Sequence, residues 1–293
     1  MLYNINALAI SHIGLKRQMQ EDNFLLSNGK YITLEDQVLF RERKQEKFIK
    51  RCSNPSKKAL FAVSDGMGGH NAGEIASTFV IQALRRERHK ILDSKSFEDA
   101  ISHYQSYVEI TNSDLCQYAA KDPTLHGMGA TLATLMIYDD KVIGFNIGDS
   151  RIYHYCGQDL RQMSKDHTEG QRLFDLKLLN QEELKNFGAR KALSRYFGMT
   201  EQFMQLNSEV TEIITVDTKA WFLLCSDGLT DVLTNGEIET ILHEYYHQGN
   251  IEEAARKLTK SALAGSGYKQ GGMDNITIIL IEMTKEAKGS WLQ

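Results

Sequence analysis

None of the four cysteines, Cys52, Cys116, Cys156 and Cys225, stands in a Cys-x-x-Cys pair. Neither a disulfide framework nor a thiolate zinc site is expected, and reduced thiols in the cytosol are the simpler reading. Long apolar runs are missing as well. The strongest, at 221–225 and 276–281, are five and six residues long, where a membrane-spanning helix needs about 20. The first residues carry neither a basic stretch nor an apolar run of signal-peptide length, so export is not expected. Excess positive charge is also lacking: the net charge is −4 and the pI near 6.2, which excludes capture of nucleic acid by charge alone. Repeats and low-complexity tracts are absent. What remains is a composition of 42% hydrophobic and 25% charged residues over 293 positions, ordinary for a globular chain with a sizeable core.

Short runs of branched and aromatic residues recur at 60–63, 131–138, 142–147, 152–155, 221–225 and 276–282 and predict strands of buried, mostly antiparallel sheet. Leu8 and Ile10 add a strand-like alternation near the start. Asp139-Asp140-Lys141 has hairpin-turn length. Helices are expected over 74–89, with Ile75, Phe79 (and Val80), Ala83 and Leu84 on one stripe, and from a Ser96/Asp99 capping box to about 120. Two more are expected after Thr234/Glu237 and after Asn250/Glu253. Sheets packed together with helices outside them follow from this order. The lysine- and arginine-rich stretch within 27–58 reads as a solvated basic excursion with a short helix around 39–49, and 168–190 as a second polar excursion.

Four aspartates stand at the ends of these segments: Val63-Ser64-Asp65-Gly66, Ile147-Gly148-Asp149-Ser150, Cys225-Ser226-Asp227-Gly228 and Gly272-Met273-Asp274-Asn275. A sheet end holds a carboxylate rigidly yet near solvent, and a following glycine lets the backbone turn and offer its carbonyl. Any one such aspartate is equally well a turn former. Four delivered to a common sheet end point instead to hard, oxygen-loving cations such as Mg²⁺ or Mn²⁺. Two such ions sharing a carboxylate can activate a water for attack on phosphorus. Arg17, just before Glu21 and Asp22, is the leading candidate to grip a phosphate.

In order along the chain, Gly14-x-x-Arg17-x-x-x-Glu21-Asp22, Ser64-Asp65-Gly66-Met67-Gly68-Gly69-His70, Gly148-Asp149-Ser150-Arg151, Asp166-His167, Cys225-Ser226-Asp227-Gly228-Leu229-x-Asp231 and Asp274-Asn275-Ile276-Thr277 resemble the type 2C (PPM) metal-dependent serine/threonine protein phosphatases, most closely their bacterial branch. The resemblance runs from about residue 10 to 283. It implies an α+β fold, a four-layer α-β-β-α sandwich of two mainly antiparallel sheets flanked by helices, and one catalytic domain over 1–285 followed by a short tail at 286–293. It also implies that Asp65 bridges two ions with help from the Gly66 carbonyl, that Asp227 and Asp274 complete the first ion, and that Asp149 with Asp227 holds a third. By the same resemblance Arg17 binds the substrate phosphate, Glu21 and Asp22 act through metal-bound waters, and Asp231 lies behind the ligands. Two or three Mn²⁺ or Mg²⁺ ions, phosphoprotein substrates of a serine/threonine kinase, a cytoplasmic setting and a monomeric state belong to the same expectation. So does a mobile flap over 168–198. The sequence departs from the family at Met67, where many eukaryotic members place a histidine acid, at Gln20 for asparagine, and in the length of 27–58.

Two rivals stand beside this reading. His243-Glu244-Tyr245-Tyr246-His247 fits the zinc-peptidase pattern His-Glu-x-x-His, although a stripe of Ile238, Ile241, Leu242 and Tyr245 turns both histidines to solvent and no third ligand is evident. A phosphopeptide binder without catalysis would have lost metal aspartates, and all four are present. The glycines after Asp65 are followed by no Lys-Ser/Thr of a phosphate-binding loop.

Overall fold

The computed structural model describes residues 2–68, 72–189, 191–200, 205–267 and 269–286. One sheet runs in the order Leu160–Gln162, Arg151–Tyr155, Lys219–Cys225, Ile276–Lys285, Tyr3–His12, Lys47–Ser56. The second runs Glu209–Val210, Lys141–Ile147, Leu132–Tyr138, Lys58–Ser64, Asn23–Leu25. Every neighbouring pair in both is antiparallel.

The layering follows from the two-residue period of strands that are apolar on both faces. Phe222, Leu224, Ile279 and Ile281 meet Phe61, Val63, Leu135 and Ile137 between the sheets. The alternate residues Leu223, Ile278 and Leu280 face outward under helices Asn235–Tyr246 and Ile251–Ala264. On the other side Leu60, Ala62 and Met136 pack under helices Ala72–Leu92 and Phe97–Ala119. The result is the expected α-β-β-α order. Caps appear where expected: Ser96 Oγ accepts from the Asp99 amide, Asn250 from Glu253, and Thr234/Glu237 forms the reciprocal box.

Two expectations are corrected. The buried face of helix Ala72–Leu92 is centred on Ala76, Val80, Ala83 and Leu84, leaving Ile75 and Phe79 half-buried. The stretch 27–58 is no solvated excursion. Its helix lies at Leu34–Arg41, opened by a Thr33/Asp36 capping box, and Lys47–Ser56 is a ten-residue edge strand on Tyr3–His12. Phe48 and Cys52 point into the inter-sheet core, and the lysines that hid the strand in the sequence are the residues that suit a sheet edge.

Candidate metal centre

Strand Lys58–Ser64 delivers Asp65, whose amide donates to Thr131 Oγ1 at 2.9 Å, while the Thr131 amide donates back to the Asp65 carbonyl at 2.8 Å. Thr131 Oγ1 also lies 2.7 Å from Ser150 Oγ, so one hydroxyl ties the Asp65 turn to the Asp149 turn. Gly148, at φ +98, makes that second turn, and a β-carbon there would fall 2.5 Å from Thr131 Cγ2. Its amide donates to His167 Nδ1 and its carbonyl accepts from the His167 amide. Strand Lys219–Cys225 delivers Asp227 through Ser226, whose hydroxyl donates to Asp22 at 2.7 Å and accepts from the Thr277 amide.

Asp274 precedes strand Ile276–Lys285. Its Oδ2 accepts from Arg17 Nη2 at 2.7 Å, and Arg17 Nη1 lies 3.3 Å from Glu21. Asn275 builds the loop that carries Arg17: its Nδ2 donates to the carbonyls of Ile13 and Met19, and its Oδ1 accepts from the Glu21 amide. Thr131 stands in none of the motifs, and Ser226 and Asn275 stand in theirs without a role of their own, because the value of all three depends on partners distant along the chain.

The four strand-end carboxylates act on one another. Burial first, then Asp22, Asp227, Asp149 and Asp274, hold the Asp65 carboxyl well above its ordinary range. Asp227 is raised by burial, then by Asp149, Asp231 and Asp274. Asp149 is pushed up to about 6 by burial and Asp166. Asp22, 1% exposed, is pushed up to about 7 by burial against the opposing Ser226 hydrogen bond. Such crowding of anions is a cost that a divalent cation removes. Among the described residues no three acidic, histidine or cysteine side chains close into a compact cage. A Mg²⁺-like ion needs none, since it takes one or two carboxylates and completes its shell with water. The all-oxygen donor set suits a hard cation.

The structure thus brings Arg17, Glu21, Asp22, Asp65, Asp149, Asp227 and Asp274 to one end of the sandwich. Asp231 lies beside them, its amide 2.7 Å from the Asp227 carbonyl, with its carboxylate paired to Lys191 of the flap-like segment. A cavity of about 240 Å³ is lined by Asp149, Asp166, Asp227, Asp231 and Lys191. Asp166 is itself held by Arg151 at 2.6 Å. The segment after Thr168 folds into helices Glu169–Asp175 and Gln181–Asn186, separated by Lys177 at φ +58, with Leu176 and Leu178 exposed. Met67 bridges Gly129. His70, Arg190 and the tail from 287 lie outside the described residues.

The zinc-peptidase pattern forms no site among the described residues. His243 and His247 are exposed on helix Asn235–Tyr246 and its cap, and His243 Nδ1 is taken by Tyr155 OH at 2.9 Å. The buried member of the tyrosine pair is Tyr246, with Tyr245 half-buried, which corrects the expected stripe.

Comparison with known proteins bears on the family and the fold. Residues 28–269 match the family described as Protein phosphatase 2C. The chain is 31% identical over 236 residues to the serine/threonine phosphatase stp of Listeria innocua, covering 80% of this chain and 89% of the relative. The Mycobacterium tuberculosis serine/threonine phosphatase PstP/Ppp superposes with a TM-score of 0.72 at 27% identity, over 96% of this chain and 100% of that one. The catalytic domain of PstP, in complex with 2 manganese ions, gives 0.70 at 26% identity over 97% and 100%.

Proposed function

The chain belongs to the protein phosphatase 2C family, and from that premise we propose that it is a metal-dependent hydrolase of phosphoserine and phosphothreonine in proteins, acting as one catalytic domain. The observation that carries the reading is the convergence of Asp65, Asp149, Asp227 and Asp274 from four strand ends, with Arg17 resting on Asp274.

Asp65 would be shared by two Mn²⁺ or Mg²⁺ ions with the Gly66 carbonyl beside it, Asp227 and Asp274 would complete the first, and Asp149 with Asp227 would hold a third. When bound, the ions supply Lewis-acid charge and an activated water for attack in line with the departing serine or threonine oxygen. Arg17 is half-committed: exposed, it leans on Asp274 and Glu21, and a substrate phosphate offers it the same two-oxygen geometry. Glu21, half-buried, acts through water. Asp22, sealed from solvent, steadies the Asp227 turn by accepting from Ser226. Asp231 would lie behind the ligands, its carboxylate paired with Lys191 of the flap-like segment. A cytoplasmic, monomeric enzyme opposing a serine/threonine kinase belongs to the same proposal, and no described helix is long and apolar enough to cross a membrane.

Hydrolysis of p-nitrophenyl phosphate and a phosphothreonine peptide, with Mn²⁺, Mg²⁺, Zn²⁺ or EDTA, decides the matter when the native chain is compared with Asp227→Asn. Turnover that needs Mn²⁺ or Mg²⁺ and disappears in the variant is expected. A folded, metal-loaded protein without turnover on either substrate would overturn the catalytic reading in favour of a phosphopeptide binder.

A further inference from the structure

Away from the carboxylates, helix Ile251–Ala264 and the adjoining strands Tyr3–His12 and Lys47–Ser56 border a half-open cavity of about 260 Å³. The register pairs Ile10 with Ile49 and His12 with Lys47, which places all four on the helix-facing side of the sheet. Ile10, Ile49 and Leu263 give the cavity an apolar lining, and its charged residues are Lys47, Arg256 and Lys260. No aspartate or glutamate is among the residues that line it. Arg256 is already paired with Glu252 at 2.8 Å, whereas Lys47 and Lys260, both exposed, have no carboxylate partner among the described residues.

His12 supplies a second, independent observation. It is only 7% exposed, and its Nδ1 accepts from the Gly14 amide at 2.9 Å. Burial favours its neutral form, so the ring proton sits on Nε2. That N–H has no protein acceptor among the described residues and is not among their buried unpaired polar atoms, so it opens to solvent where His12 lines the cavity. An accessible imidazole N–H, two ammonium groups without a carboxylate partner and an apolar lining define one chemistry.

We propose that this cavity binds a small amphiphilic anion, with its carboxylate or phosphate head held by His12 Nε2–H, Lys47 and Lys260 and its short apolar body against Ile10, Ile49 and Leu263. One backbone segment lies between this site and the carboxylate centre. The ring that takes the head group also accepts from Gly14, and the next residue, Leu15, donates to the Gly272 carbonyl at 2.7 Å, in the segment that leads to Arg17.

Titration calorimetry of the metal-loaded protein with sodium octanoate tests this without turnover, so its outcome is separate from that of the phosphatase reading. Octanoate should bind with one-to-one saturation. Lys47→Glu/Lys260→Glu should weaken it by about tenfold or more, the loss expected for charge-assisted hydrogen bonds, and the neutral 1-octanol should bind as weakly to the native chain. Octyl phosphate, titrated in the same way, distinguishes a phosphate from a carboxylate head. If the double variant melts lower than the native chain, Lys260→Gln alone serves as the comparison. Absence of saturable heat with both anions, equal binding to the lysine variants, or octanol binding as tightly as octanoate would each overturn the proposal.

Discussion

A glycine follows Asp65 and another follows Asp227, and neither is needed for a left-handed turn, since neither has positive φ. Both are required by close approach of another backbone. A β-carbon at Gly228 would fall 1.9 Å from the Asn275 carbonyl oxygen, and one at Gly66 2.0 Å from that of Gly73. The sequence made the carboxylates legible, because Asp-Gly after an apolar run is a local pattern. The reason for the glycines was not local: it is the strand end at Asn275 pressed against the Asp227 turn. Gly228→Ala is therefore expected to cost about 1–3 kcal/mol, as overpacking does, read as a lower urea midpoint in EDTA-treated protein. Measuring without metal keeps the packing cost apart from any change in metal affinity. An unchanged midpoint would mean that the Asp227 and Asn275 backbones separate easily.

Among the elements, those with strong apolar runs were readable from sequence to within a few residues, and the stretch between Ser27 and Lys58 was not. Its strand is built on Phe48 and Cys52 alternating with charge, a pattern drowned by lysine and arginine in any local count. The helix left a readable sign in Thr33 and Asp36, but its docking depends on a distant residue. Arg41 closes that helix with hydrogen bonds of 2.9 and 3.1 Å to the two carboxylate oxygens of Glu74, whose side chain is 6% exposed while that of Arg41 is 47% exposed. The partner helix starts at Ala72, beside Gly73, where a β-carbon would sit 2.5 Å from Glu21 Oε1. The segment thus braces the carboxylate end of the sandwich. Arg41→Met keeps the stem and strands a buried carboxylate, so a loss of about 1–2 kcal/mol is expected, between the limits for exposed and buried pairs. Chemical denaturation of Arg41→Met beside Glu74→Gln and the double variant measures it. Additive losses would show that the two side chains do not act as a pair.

At the scale of the molecule, two sheets carry four carboxylates to one end, and the cost of that convergence depends on pH. Asp65 and Asp227 are raised well above the ordinary range, Asp149 to about 6 and Asp22 to about 7. Without metal, the folded chain holds protons that the unfolded chain releases near pH 4. Its stability therefore falls as pH rises from there through the raised values, and the penalty is complete only above them. His12, His154 and His167 work in the opposite sense, because burial lowers their folded values and stability is regained as pH rises through the histidine range. A cation that binds the carboxylates cancels the first effect and leaves the histidines as they were. The gain in melting temperature on adding Mn²⁺ to EDTA-treated protein should thus grow from about pH 5.5 to about pH 8, whatever the absolute trend of either form. The same comparison on Asp227→Asn, with one anion fewer, should show higher metal-free stability at the upper pH and a smaller gain. A gain independent of pH in the native chain would mean that the ion binds away from these carboxylates.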